Sequence, residues 1–258
     1  LTSKGMSLLY IDDLISLNVQ ERNAQLDVLD ASITKIQSYQ RSDGSFSYWP
    51  GSNSHPWSDV YVGLFLHLAS EKGFTISKEV LNKWSENMIK IANSWRLEGQ
   101  MSSSYVQRRE EQLQAFRLYT LARLGKAQKG AMNRFRQRTD LKELTKLLLG
   151  GAYHYAGLSD IAETLVSSAI QSGIIDQNYY FWGSRIRSSA LAITIGSEVT
   201  PQFISDRYFR DWVENVNQRR WLSTQDKGFC FLASHTYYKD DAPIATEIEF
   251  EIISDKYK

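Results

Sequence analysis

Four histidines, one cysteine and a few acidic pairs are the first places to look for chemistry in this sequence. The histidines are His55, His67, His154 and His235, and no two stand in the HxxxH or HExxH spacing that makes one helix face a zinc site. Cys230 lies between Asp226 and His235, a donor set suited to zinc. One helix cannot gather the three, because positions i, i+4 and i+9 do not share a face. A buried thiol is the expected role of Cys230, and no metal is expected. Asp12-Asp13 and Asp240-Asp241 are adjacent in sequence and point apart, so neither is a catalytic dyad. A GxSxG elbow, a phosphate-cradling glycine loop and a supported Cys/His nucleophile pair are all missing. No catalytic residue and no cofactor follow from these residues.

The elements that must carry any site are helices. From Leu113 the apolar residues Phe116, Leu118, Leu121 and Leu124 recur at helical spacing and stop at Gly125, a residue suited to a left-handed C-cap. Val60 to Ala69 closes in the same way at Gly73, Leu144 to Ala156 at Gly157, and Ile186 to Ile195 at Gly196; Ser223 to Ala233 runs on toward Tyr237. Ser58-Asp59, Asp140 and Ser159-Asp160 read as N-caps, and Pro201 as the first residue of a helix. These apolar helices recur at intervals of roughly 35 to 50 residues, the period of stacked helical hairpins. Each pairs with a more charged helix such as Lys78 to Arg96. Apolar character all round the first kind favours a closed α/α toroid of about six hairpins over an open solenoid. From Ile244 the period changes: Ile248, Phe250 and Ile252 alternate with Glu247, Glu249 and Glu251, the pattern of a strand. The expected division is a helical domain over 1–240 and, over 241–258, a strand segment leading into a neighbouring β domain. This implies a longer parent polypeptide.

Composition narrows the partners. The chain has 258 residues, 42% hydrophobic and 23% charged, enough for a sizeable core. Lys plus Arg number 30 against 29 Asp plus Glu, which gives no one-signed field for nucleic acid. No apolar run approaches the ~20 residues of a membrane-crossing helix.

One loop stands out. "SDGSFSYWPGSNSHPW", residues 42–57, places Tyr48, Trp49 and Trp57 beside His55 in a polar connection. It begins with "QRSDGSF", in which Gln40 ends a helix, Asp43-Gly44 turns the chain and Phe46 tucks back. Terpene cyclases and prenyltransferases carry similar Gln-x-x-x-Gly-x-aromatic connections, but their DxDD or DDxxD acidic clusters are not here.

Three stretches together resemble the thioester domain of bacterial alpha-2-macroglobulins. "IQSYQRSDGSFSYWPG" with Trp57 is similar to that family's LQxxDGGFxYWPG stretch. "LYTLARLGKAQKGAMNRFR" (118–136) is similar to YxLAxxGxxxxxAMNRLR, and "WLSTQDKGFCFLA" (221–233) to WxSTQExAxALLAL. With "KLLLGGAYHYAGLSDIAETLV" between the last two, the likeness covers about 35 to 240. The resemblance implies an α/α toroid inserted in a CUB-like β domain, within an exported bacterial protein that traps proteases and does not turn over substrate. The parent would be periplasmic or at the cell surface, held there by a lipid anchor. Its Gly-Cys-x-Glu-Gln motif would lie just before Leu1, so this chain carries neither thioester residue. By the same resemblance Tyr48, Trp49 and Trp57 form a water-excluding wall or a contact to the neighbouring domain. His55 is a candidate base toward the trapped nucleophile, and Met132 and Asn133 stand at another helix end.

The competing reading is an α/α-toroid carbohydrate enzyme or sugar-binding module. There Tyr48, Trp49 and Trp57 would be stacking platforms, and two of Asp43, Asp59, Glu110 and Glu111 would have to face one cleft.

Overall fold

A computed structural model describes residues 1–96, 104–173 and 184–239. The strand expected near Ile248 lies outside them. Among the described residues there is no strand, only isolated bridges pairing Gln40 with Phe46 and Ser47 with Ser54.

The helices are α1 (Thr2–Leu8), α2 (Ile11–Leu14), α3 (Val19–Gln37), α4 (Pro56–Glu71), α5 (Lys78–Ser94), α6 (Ser104–Arg123), α7 (Lys129–Arg136), α8 (Glu143–Tyr155), α9 (Ser159–Gln171), α10 (Arg185–Val199), α11 (Asp206–Asn217) and α12 (Thr224–Tyr238). A 3₁₀ turn, Pro201–Phe203, follows α10. Helices α1, α4, α6, α8, α10 and α12 form an inner ring: each packs on the next, and α12 packs on α1 to close it. Outside them, α3 lies on α1, α5 on α4 and α6, α9 on α8 and α10, and α11 on α10. This is the α/α toroid.

Sequence explains the two layers. In α4 the residues Val60 to Leu66 are all buried, as a helix surrounded by protein requires. Leu64, Phe65 and Leu66 are 0% exposed, and burial of each contributes about 1.5–3 kcal/mol. The outer α5 buries only Trp84, Ser85, Met88 and Ala92, a single stripe. Gly63 lets these layers meet closely, because a Cβ there would stand 2.1 Å from Cζ2 of Trp84.

Gly73, Gly125 and Gly157 end α4, α6 and α8 at positive φ, as expected. Gly196 does not end α10, which runs on to Val199; a Cβ at Gly196 would meet Ile204 at 2.7 Å, so close packing is its role. The N-caps also differ from expectation. His55 caps α4, its Nδ1 facing Ser58 N at 3.5 Å, with Pro56 as the first helical residue. Asp140 instead accepts from Arg138 at 3.0 Å, and neither α8 nor α9 has a side-chain cap.

Candidate functional site

The 40–57 connection is held by a buried carboxylate. Gln40 Nε2 donates to the carbonyls of Gly44 (3.0 Å) and Val80 (2.8 Å), tying the turn to α5. Gly44 has φ +87°, and a Cβ there would overlap Lys83 O at 2.3 Å, so only glycine fits. Phe46 N and Trp84 Nε1 donate to Asp59 Oδ1 at 3.0 and 3.2 Å. Asp59 is 3% exposed, and burial pushes its carboxyl up to about 7 despite these donors. Asp43 goes the other way: hydrogen bonds from Ser45 hold its carboxyl below the usual range.

With its base anchored, the tip of the loop stands outside. Tyr48 is 58% exposed and Trp49 68%, their ring centroids 6.2 Å apart. Trp57 lies inward, stacked on Phe116 at 4.7 Å, with the Arg187 guanidinium over its ring at 4.7 Å. His55 works as the α4 cap, and burial, then Arg109, lowers its pKa. Met132 is fully buried in α7, and Asn133 accepts a hydrogen bond from the Tyr153 hydroxyl at 2.7 Å.

Tyr48 and Trp49 form one side of a cleft of about 610 Å³ at the pole where inner helices begin. The first residues of α1, α4, α10 and α12 line it, represented by Thr2, Ser58, Arg187 and Thr224. Trp221, 78% exposed, lines it as well. On its wall Asp226 forms a capping box with Ser223, and Arg187 Nη1 donates to Gln225 Oε1. His55, Trp57, Met132 and Asn133 are not among the lining residues. Reading the sequence for aromatic loops found Tyr48 and Trp49 but passed over Trp221 and Arg187, and Asp226 was weighed only as a metal donor. The Ser-x-x-Asp spacing from Ser223 to Asp226 is the one sequence signal that could have marked the start of α12 and so this wall of the cleft.

The opposite pole, where inner helices end, is filled by ionisable groups paired with one another. Arg123 of α6 lies 3.7 Å from Glu71 of α4 and 3.7 Å from Glu198 of α10, and donates to the Tyr119 hydroxyl at 3.1 Å. The Tyr155 hydroxyl donates to Glu198 at 2.8 Å. Asp13 receives both Lys72 and His235, the latter at 2.7 Å, so α2, α4 and α12 are clasped at the seam of the ring. His235 stacks on Tyr10 at 4.4 Å. Burial, opposed by Asp13 and reinforced by Lys72, Lys239 and Arg123, lowers its pKa.

No cluster able to hold a metal ion occurs among the described residues. The carboxylates needed by a glycosidase are dispersed: Asp59 and Glu111 are buried at 3% and 2% exposure, and none of Asp43, Asp59, Glu110 and Glu111 lines the cleft.

No protein-family model matches the chain. It is 26% identical over 230 residues to alpha-2-macroglobulin of Escherichia coli K12, covering 84% of this chain and 13% of that protein. Alpha-2-macroglobulin of Xylella fastidiosa is 28% identical over 207 residues, covering 75% of this chain and 12% of its own length. Salmonella alpha-2-macroglobulin reacted with methylamine superposes with a TM-score of 0.77 at 24% identity, over 91% of this chain and 16% of that one. Trypsin-activated E. coli alpha-2-macroglobulin gives 0.72 at 26% identity, over 92% and 17%. This chain therefore resembles one helical segment of bacterial alpha-2-macroglobulins, in sequence and in fold, and spans about an eighth of the curated relatives it matches.

Proposed function

We propose that this chain is the thioester-type helical domain of an exported bacterial alpha-2-macroglobulin-like protein that traps proteases, and that the N-terminal cleft shelters the reactive bond. One observation carries the reading. Leu1, Thr2 and Ser3 line the same cleft as Tyr48, Trp49 and Trp221, so whatever residues precede α1 in a longer polypeptide emerge there, beside exposed aromatic rings. By resemblance those residues are the Gly-Cys-x-Glu-Gln motif. Apolar rings around an acyl–sulfur bond slow attack by water, while an amine delivered by a trapped protease reacts. Such a device acts once and is not an enzyme in the turnover sense.

The relatives support the class of partner: a Salmonella relative is seen reacted with methylamine, and an E. coli relative activated by porcine elastase and by trypsin. In this reading residues 1–240 are the toroid, 241–258 lead into the flanking β domain, and the parent is held in the periplasm or at the cell surface. His55 and Trp57 then support the loop from behind, and Met132 and Asn133 brace α7 on α8. The test is mass spectrometry of the full-length polypeptide after methylamine treatment. The expected result is one methylamine per chain and one freed thiol; an unchanged mass would leave a domain that only binds or shields.

A further inference from the structure

Charge is balanced over the whole chain but not over its surface. Residues 126–146 hold seven basic residues against two acidic ones, Asp140 and Glu143, although the chain as a whole carries 30 against 29. Asp140 is taken by Arg138, which also reaches Glu111 at 3.0 Å. None of the other six basic residues is ion-paired among the described residues.

The fold spreads these charges over one outer face. Helix α7 packs on α5 and on α8 and buries Ala131, Met132 and Phe135, which leaves its Lys129, Arg134 and Arg136 exposed. On the α5 side, Arg134 Nη2 donates to the carbonyl of Asn93 at 3.0 Å, and Arg96 Nη1 donates to the same oxygen at 2.9 Å. Two guanidinium groups thus meet at one neutral acceptor. On the α8 side, Arg136 lies over the ring of Tyr153 at 5.8 Å. Lys146 and Lys142 stand two and three helical turns before Tyr153 and share its face of α8. Like charges gathered in this way weaken a fold by repulsion, so the face is suited to an anionic partner.

The shape of the patch selects among anions. It spans three helices of the outside, and none of its residues lines the cleft, so its partner is an extended surface and not a small ion in a pocket. The exposed rings Tyr48, Trp49, Trp221 and Tyr238 all lie elsewhere, which leaves the bases of a single-stranded nucleic acid without a stacking platform. Helix α7 is bounded by α5 and α8 and does not project as a helix must to enter a duplex groove. A bilayer needs neither feature. We infer that this face docks on the phosphate headgroups of an anionic lipid bilayer, with Arg96 and Arg134 sharing one phosphate and Lys129, Arg136 and Lys142 adding charge around them. The inference is drawn from this chain alone and stands apart from the trap reading.

The test is co-sedimentation of this chain with phosphatidylcholine vesicles containing about one-third phosphatidylglycerol at low salt. Binding is expected to these and not to pure phosphatidylcholine, and it should be lost as salt nears about 1 M, where charges are screened within about 3 Å. Lys129→Gln with Lys142→Gln, both exposed, should weaken binding roughly 25-fold, about fivefold for each charge removed. Arg96→Gln with Arg134→Gln should weaken it at least as much. As a control, Arg210→Gln with Lys227→Gln removes the same charge from exposed sites on α11 and α12 and should leave binding unchanged. Circular dichroism reports folding of each variant, and if the arginine pair does not fold, the lysine pair decides. Equal binding to neutral vesicles, or a control pair that loses as much as the lysine pair, would overturn the inference. So would displacement from the vesicles, at fixed ionic strength, by millimolar inorganic phosphate, the mark of a single-anion site, or by a DNA duplex at equal phosphate concentration. Failure of the trap reading looks different: the full-length polypeptide would take up no methylamine while this chain still bound anionic vesicles.

Discussion

The two ends of this ring are made from the same inner helices and have opposite characters. Where the helices end, ionisable groups are paired across neighbours and aromatic rings are stacked: Arg123 with Glu71 and Glu198, Lys72 and the neutral His235 with Asp13. Where they begin, the wall is open, and two tryptophans and a tyrosine stand in solvent. A fold needs the first arrangement to close the ring. Exposed rings add little to stability, and this asymmetry is the ground on which the proposed function is placed at the starting pole.

The comparison can be broken by mutation. Arg123→Ala strands Glu198 and the Tyr119 hydroxyl at the closed pole and should cost about 3 kcal/mol in urea unfolding. The poles should also titrate in opposite senses. The Asp59 carboxyl, raised to about 7, keeps in the folded state a proton that the unfolded chain loses near pH 4. Its contribution is complete below that pH and is lost as pH rises through about 7, a change on the order of 2–4 kcal/mol that Asp59→Asn should flatten. His235 has a lowered pKa, so the unfolded chain takes up the proton first, and stability falls as pH drops below about 6.5. His235→Asn should remove that acid-side loss in denaturation curves measured from pH 5 to 8. Smaller again, Ser223→Ala removes the cap of α12 and should lower stability by about 1 kcal/mol. Smallest for stability is Trp221→Ala, expected to change it by less than about 0.5 kcal/mol.

The inner helices from α4 to α12 were legible from apolar runs ending at Gly73, Gly125 and Gly157, because a helix buried on all sides leaves a dense signal. Helix α1 was not. Its seven residues, TSKGMSL, bury only Gly5 and Met6 and show no repeat, and ring closure through α12 gives it its place. The turn at Gln40 to Phe46 was readable because its Asp43-Gly44 pair marks a tight turn, and at Gly44 only glycine fits. Its buried anchor was not: Asp59 looks like an exposed cap until Phe46 and Trp84 fold over it. Tyr48 and Trp49 announced themselves by standing in a polar loop. Trp221 and Asp226 come from the start of α12 and Arg187 from the start of α10, and only the closed ring brings these two helix starts to one cleft with Tyr48 and Trp49.

The most direct test of the starting pole as the shelter is the rate at which thiol appears spontaneously in the full-length polypeptide, compared for unaltered, Trp49→Ala plus Trp221→Ala, and Arg123→Ala forms. The account predicts faster thiol release in the aromatic double variant, water having reached the acyl bond, with the Arg123 variant unchanged while it remains folded. Equal rates in all three, or acceleration only when Arg123 is removed, would contradict it.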